Sequence, residues 1–186
     1  WRGCSSALSF RGRVGGHLLD PLGLRDLLRG QLDQPVHEDP GQVDVVGREL
    51  ADLDDLAGNA RRVTTAVDQA VAEGLLAEDV PVFVELPQTE PTHGWLAAAD
   101  EVAAMEHRLK LRTGGVEAHQ FPSPATLAAW VDAALDRETP FKCTAGLHHA
   151  VRRPDEDGIT HHGFLNIALA TQAARAGEHR DVVRSE

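Results

Sequence analysis

From residue 80 to residue 176 the chain alternates short apolar runs with longer helical stretches, three times over. Val80 to Leu86 is a near-continuous apolar run of strand type closed by Pro87, and Trp95 to Met105 has helical composition. Arg108 to Arg112 reads as the next strand, ending in Thr113-Gly114-Gly115. Ser123 and Pro124 open a helix to about Arg137, with Ser at the N-cap and Pro at the first helical position. Phe141 to Thr144 is a third strand, ending in Ala145-Gly146, and a helix from about His162 to Ala176 closes at Gly177. Alternation of this kind requires a parallel sheet with crossover connections and strands buried on both sides.

The pattern is weaker upstream. Gln42 to Gly47 is a weak strand, followed by expected helices at 48–56 and 60–76, the second with Val63, Val67, Ala70, Val71 and Leu75 on one face. Residues 1–41 lack periodicity and are punctuated by Gly, Pro and Asp. Two regions are therefore expected: an irregular or partly disordered segment at 1–41 and a β/α-repeat domain at 42–186. A complete eight-unit barrel needs about 250 residues, and this chain has 186. Its clear units predict an α/β fold, a parallel β/α repeat forming half of a TIM-type barrel behind a poorly structured N-terminal segment.

Sixteen arginines stand against two lysines, so arginine serves wherever a solvated positive charge suffices. Lys110 lies in Leu109-Lys110-Leu111-Arg112-Thr113-Gly114, and Lys142 in Phe141-Lys142-Cys143-Thr144-Ala145-Gly146, 32 residues and one β/α unit later. A lysine amine, unlike a guanidinium, can lose its proton when buried and act as a base or imine-forming nucleophile. Residues i and i+2 share a strand face, so Lys110 points with Arg112, and Lys142 with Thr144. In a barrel that face is the interior, near the C-terminal rim. On neighbouring strands these cations crowd one another, and like charge with burial favours a neutral amine. Glu85, at the end of the preceding strand, is the candidate counter-charge or general acid/base. Cys143 alternates with Lys142 and Thr144 and is expected to pack under the helices.

A polar loop from Leu147 to Gly163 follows the Lys142 strand and carries His148, His149, His161, His162, Arg152 and Arg153. Loops of this length at a barrel rim are often functional. One use is anion recognition, through Arg112, Thr113, Gly114, Gly115, Thr144, Gly146, His149, Arg152 and the helix N-terminus at His162-Gly163. A second is metal binding by His148 or His149 with His161, although adjacent histidines lack the i, i+4 spacing of helical metal sites. A third is structural, with histidines capping or solvated. His148 and His149 are candidate proton shuttles, and Asn166 either faces the site or caps the loop. The expected site includes no metal and no cofactor.

Bulk properties narrow the partners. A net charge of -11 and no tyrosine exclude a basic or base-stacking nucleic-acid surface. No apolar run approaches the length of a membrane span, and two cysteines give no disulfide framework. A cytoplasmic protein with a small anionic partner is expected, and a homo-oligomer if the sheet is completed by another copy.

Phe141 to Leu147 resembles the strand of deoxyribose-phosphate-type class I aldolases that carries the Schiff-base lysine in an apolar-Lys-Thr-Ser-Thr-Gly-Phe segment. Leu109 to Val116 is similar to the second lysine strand of that family, which ends in a Gly-Gly-Ile turn. The resemblance implies that Lys142 forms the imine and that Lys110 lowers its proton affinity. The two segments stand here in the reverse order, and the family's catalytic aspartate has no evident counterpart. More broadly, Pro81 to Ala170, with its Thr-Ala-Gly-Leu-His-His and His-Gly-Phe-Leu-Asn phrases, resembles uncharacterised bacterial barrel-like proteins, which implies a fold and no activity. The expected function is a barrel-type enzyme, a class I aldolase or lyase, acting on a small phosphorylated or carboxylated carbonyl compound. The alternatives are a lysine/arginine anion site with histidine acid/base catalysis, and a non-enzymatic barrel fragment.

Overall fold

The computed structural model describes residues 42–45, 54–154, 156 and 158–177. The expected N-terminal segment 1–41 and most of the expected helix 48–56 lie outside these residues. Among the described residues, four strands of one sheet alternate with four helices. In chain order they are β1 (Val43–Val45), α1 (Leu56–Ala72), β2 (Val82–Glu85), α2 (His93–Ala104), β3 (Arg108–Arg112), α3 (Pro124–Asp136), β4 (Phe141–Thr144) and α4 (Phe164–Arg175). The strands form one parallel sheet in the order β1-β2-β3-β4. The protein is thus an α/β fold in which a four-stranded parallel sheet alternates with helices.

The sequence signals account for most boundaries. Ser123 caps α3 by accepting from the Thr126 amide at 3.0 Å, with Pro124 in the first turn as expected. The helix expected at 60–76 instead runs from Leu56 to Ala72. Asp55 starts it early by accepting from the Gly58 amide at 2.8 Å, and Gly74, at φ +69°, ends it. Leu75 therefore leaves the helix and is exposed, while Ala60, Val63, Ala66 and Ala70 are buried.

The sheet has one apolar and one charged face. Val82, Val84, Leu109 and Leu111 are buried in the main core, with Val43, Phe141 and Cys143 packed against them. All four helices contribute to that same cluster, through Leu56 and Val63 of α1, Trp95 and Val102 of α2, Leu127 and Trp130 of α3, and Ile167 of α4. Strand alternation sends Asp44, Phe83, Glu85, Lys110, Arg112, Lys142 and Thr144 to the opposite face. The expectation of strands buried on both sides is met with a difference: the second face holds buried charge instead of a second apolar core.

Two tryptophans hold the loop after β2. The rings of Trp95 and Trp130 stack at 6.4 Å, and their indole N–H groups donate to the carbonyls of Pro87 at 3.1 Å and Thr89 at 2.8 Å. Gln88, between those two carbonyls, donates to Arg112 O and Gln120 O at 3.0 and 2.9 Å. The C-terminal ends of β2 and β3 are thereby tied together.

The turns after β3 and β4 meet at two glycines. A Cβ on Gly146 would lie 3.2 Å from Gly114 Cα and 3.3 Å from the Phe121 ring, and Gly146 has φ +75°. Gly146→Ala is expected to cost about 1–2 kcal/mol for the left-handed backbone alone, with steric contact added. Chemical denaturation checks this; an unchanged midpoint would contradict the close approach.

Candidate functional site

The charged face is built row by row from strand register. Glu85, Lys110 and Lys142 pair side by side across β2, β3 and β4. Arg112 pairs with Thr144 one step nearer the C-terminal ends. Asp44 of β1 is in register with Phe83, one same-face step below that row.

The row is held together by Asp44. Its Oδ1 accepts from Lys142 Nζ at 2.6 Å, and its Oδ2 from Lys110 Nζ at 3.1 Å. Asp44 is 4% exposed, while the Lys110 and Lys142 side chains are 10% and 22% exposed. Glu85, also buried, lies 3.5 Å from Lys110 Nζ through Oε2 and 3.9 Å from Arg112 Nη1 through Oε1. Its Oε2 is buried and accepts no hydrogen bond. Lys142 Nζ also sits 4.2 Å from the centroid of the Phe83 ring, an attractive arrangement for an ammonium. The lysines therefore do not simply face one another; two carboxylates are interleaved with three cations.

The Asp44–Lys142 contact has a consequence for the sheet. In a flat sheet β1 and β4 would be three spacings apart, roughly 14 Å, and Lys142 a further ~6.6 Å along the strand. Extended Asp and Lys side chains together reach only about 10 Å, too short for that diagonal even with the 2.6 Å contact added. The sheet must therefore curl, with its charged face concave.

Sequence reasoning brought Lys110, Lys142, Glu85, Arg112 and Thr144 to this face and missed Asp44. Its strand was the weakest signal in the repeat, and nothing local to Gln42-Val43-Asp44-Val45 marks it as a partner of residues up to 98 positions away.

The glycines and Thr113 pack the turns after β3 and β4. Gly114 and Gly146 pack against Phe121, and a Cβ on Gly115 would strike the Gln120 side chain. Thr113, fully buried, donates its hydroxyl to the carbonyls of Thr144 and Ala145 at 3.0 and 2.6 Å. Arg112 donates from Nε to Gly114 O at 3.1 Å. These contacts lock the β3 and β4 turns to each other.

The described residues of the histidine loop include a two-stranded ribbon. Strands β5 (Arg153–Pro154) and β6 (Thr160–His161) pair antiparallel, and His149 bridges to Gly163. His161 lies on the Phe121 ring with centroids 4.5 Å apart, and His149 is 6.4 Å from His161. The helix N-terminus at His162-Gly163 is already occupied: Phe164 and Leu165 amides donate to the carbonyls of His149 and Ala150 at 3.0 Å each. Asn166 caps the loop, its Oδ1 accepting from the Arg152 amide at 2.8 Å. His148 is exposed, and no contact connects it to the lysine row. Among the described residues no cluster of three His, Cys, Asp or Glu side chains forms a metal site.

Two other groups are set by burial. Cys143 faces the apolar layer as expected, and desolvation pushes its thiol up to about 12, which makes it an inert packing residue. His162 is buried; desolvation lowers its proton affinity below the ordinary imidazole value, with Arg152 and His161 adding to the effect and its bond to Pro122 O opposing it. His107 is half-buried beside Thr64 Oγ1 at 3.3 Å, and desolvation lowers it too.

Comparison with known proteins gives no match to a family model, a curated protein or a solved structure.

Two outcomes follow from the charge geometry. Asp44→Ala leaves two amines without their shared carboxylate, and the expected loss is about 3–5 kcal/mol of stability, read from a denaturant midpoint; an unmoved midpoint would refute the bridge. Histidines whose folded proton affinity is depressed contribute stability in full above the unfolded value of 6.5. That contribution is lost as pH falls from there through the depressed folded values. The thermal midpoint should drop on acidification below that point, and His107→Gln should shrink the drop.

Proposed function

We propose that this protein is an enzyme of the lyase type that forms an imine between the Lys142 amine and a small anionic carbonyl compound. The observation that carries the reading is the Lys142 amine, partly open to solvent, 2.6 Å from a buried carboxylate that also holds a second lysine. A nucleophilic lysine needs a neighbour to take its proton, and Asp44 is in hydrogen-bonding contact with it. The motif resemblance of the two lysine strands to class I aldolases points to the same residue.

The chemistry balances within the cluster. Asp44 accepts a proton from the Lys142 ammonium, and the freed amine attacks the carbonyl carbon. The resulting carbinolamine expels its hydroxyl as water, with the Asp44 proton returned to the leaving oxygen, and a carbon–nitrogen double bond remains. When a carbon–carbon bond then breaks, its electron pair flows into the imine, and Glu85 is the group that moves the proton released or required. Glu85 suits this because its Oε2 is buried without a hydrogen bond. Arg112, one row nearer the rim and about one-third exposed, meets the substrate's anionic group.

The fold reading that accompanies this is half of a (β/α) barrel with the charged face as its interior. Supporting it are the sequential strand order without a reversal, the helices' shared contribution to one apolar cluster, and a concave face carrying the charge. A doubly wound sheet would reverse its strand order and bind ligands at that point.

The test is reductive trapping. The protein is incubated with a panel of small aldehydes and keto acids, reduced with borohydride, and mapped by peptide mass. The expected adduct is on Lys142, absent in Lys142→Met, with Asp44→Asn trapping slower by about 10²-fold or more. No adduct on Lys142 across the panel would overturn the imine mechanism.

A further inference from the structure

The Phe164 and Leu165 amides at the start of α4 donate internally, and among the described residues one buried arginine nitrogen elsewhere is left without a hydrogen-bond acceptor. Arg61, Arg112 and Arg137 each meet a carboxylate, of Glu101, Glu85 and Asp100 respectively. Arg152 differs. Among the described residues no carboxylate pairs with it, and its Nε is buried without any hydrogen-bond acceptor.

Arg152 lines a cavity of about 320 Å³ between the turn that precedes α3 and the histidine ribbon. Phe121, Pro122 and Pro124 form one wall, and Thr160 and His162 belong to the other. Among the described residues no acidic side chain lines it. The residues are held in place: the Arg152 backbone amide is fixed by Asn166, and His162 is tied to Pro122 O at 2.7 Å through Nε2. Because that carbonyl can only accept, Nε2 is the protonated nitrogen of the neutral ring. The start of α3 at Pro124 adds the positive end of a 13-residue helix to the same wall. A volume at the low end of ligand sites suits a compact group.

We infer that this cavity binds a phosphate-class oxyanion, with Arg152 as its charged donor and the Thr160 hydroxyl as a second polar group. The site is separate from the lysine row and does not depend on imine chemistry there. Free phosphate and the phosphoryl group of a larger molecule share the chemistry that Arg152 recognises.

The experiment measures binding directly, on the whole chain, by thermal unfolding and by NMR titration of the imidazole resonances. Inorganic phosphate and methyl phosphate are titrated separately against wild type, Arg152→Gln and Arg112→Gln, with circular dichroism confirming that each variant is folded. The expected result is a raised unfolding midpoint and a shifted His162 resonance in wild type and Arg152-containing protein. Affinity should fall about tenfold or more in Arg152→Gln, the worth of one charge-assisted pair. A response to both probes assigns a phosphoryl group, and a response to inorganic phosphate alone assigns the free ion. No response to either probe, or a response undiminished in Arg152→Gln and lost in Arg112→Gln, would overturn the inference. Trapping at Lys142 uses a different residue and a different readout, so either result stands without the other.

Discussion

Asp44 is the residue on which the charged face depends. Burying two amines and a guanidinium on adjacent strands would be prohibitive without counter-charge, and β2 to β4 supply only Glu85. Asp44 divides its two oxygens between Lys110 and Lys142, which lets one buried carboxylate serve both. The contact spans the whole width of the sheet, from β1 to β4. Curvature and electrostatics are thus coupled: a flatter sheet would separate the bridge, and loss of the bridge would remove a force that draws the two edges toward each other.

The helices complete this arrangement from the other side. They share one apolar cluster with Val82, Val84, Leu109 and Leu111, so burial of hydrophobic area holds the convex layer while ion pairing organises the concave one. Phe83 is the apolar residue that crosses this division. Its ring lies under Lys142 at 4.2 Å and within 5.5 Å of the Arg108 guanidinium. An aliphatic residue there would fill the space without offering a negative ring face to either cation. The tryptophan pair performs the corresponding task at the rim, where its two indole donors fix the backbone that carries Glu85 into its loop.

Local pattern carried the strands, the helices and the pairing of Lys110 with Lys142, because alternation and crossover rules act over a few residues at a time. Arg108 to Arg112 and Phe141 to Thr144 are strands with the same bounds in sequence and structure. Asp44 was hidden because its role comes from the curl of four strands, a property of no single window. A Gly-Gly turn after a strand has the composition of an anion cradle, but here Gly114 and Gly146 admit each other and Phe121. The histidines of the long loop had the composition of a metal or proton-transfer site. In the structure His161 lies against an aromatic ring, and His162 is bonded to a carbonyl.

The use of lysine at just two positions now has a geometric reason beside the chemical one. A carboxylate that must bind two cations through its two oxygens favours compact charges on slender stems, and ammonium groups meet that need better than planar guanidinium forks. Packing alone would ask the same of both lysines, yet the two are not equivalent. Lys110 is enclosed by Asp44 and Glu85 and is 10% exposed, whereas Lys142 has the shorter contact to Asp44 and is 22% exposed. The one that can be reached from solvent is the one bonded closely to a proton acceptor. That asymmetry within a shared carboxylate sets Lys142 apart from Lys110.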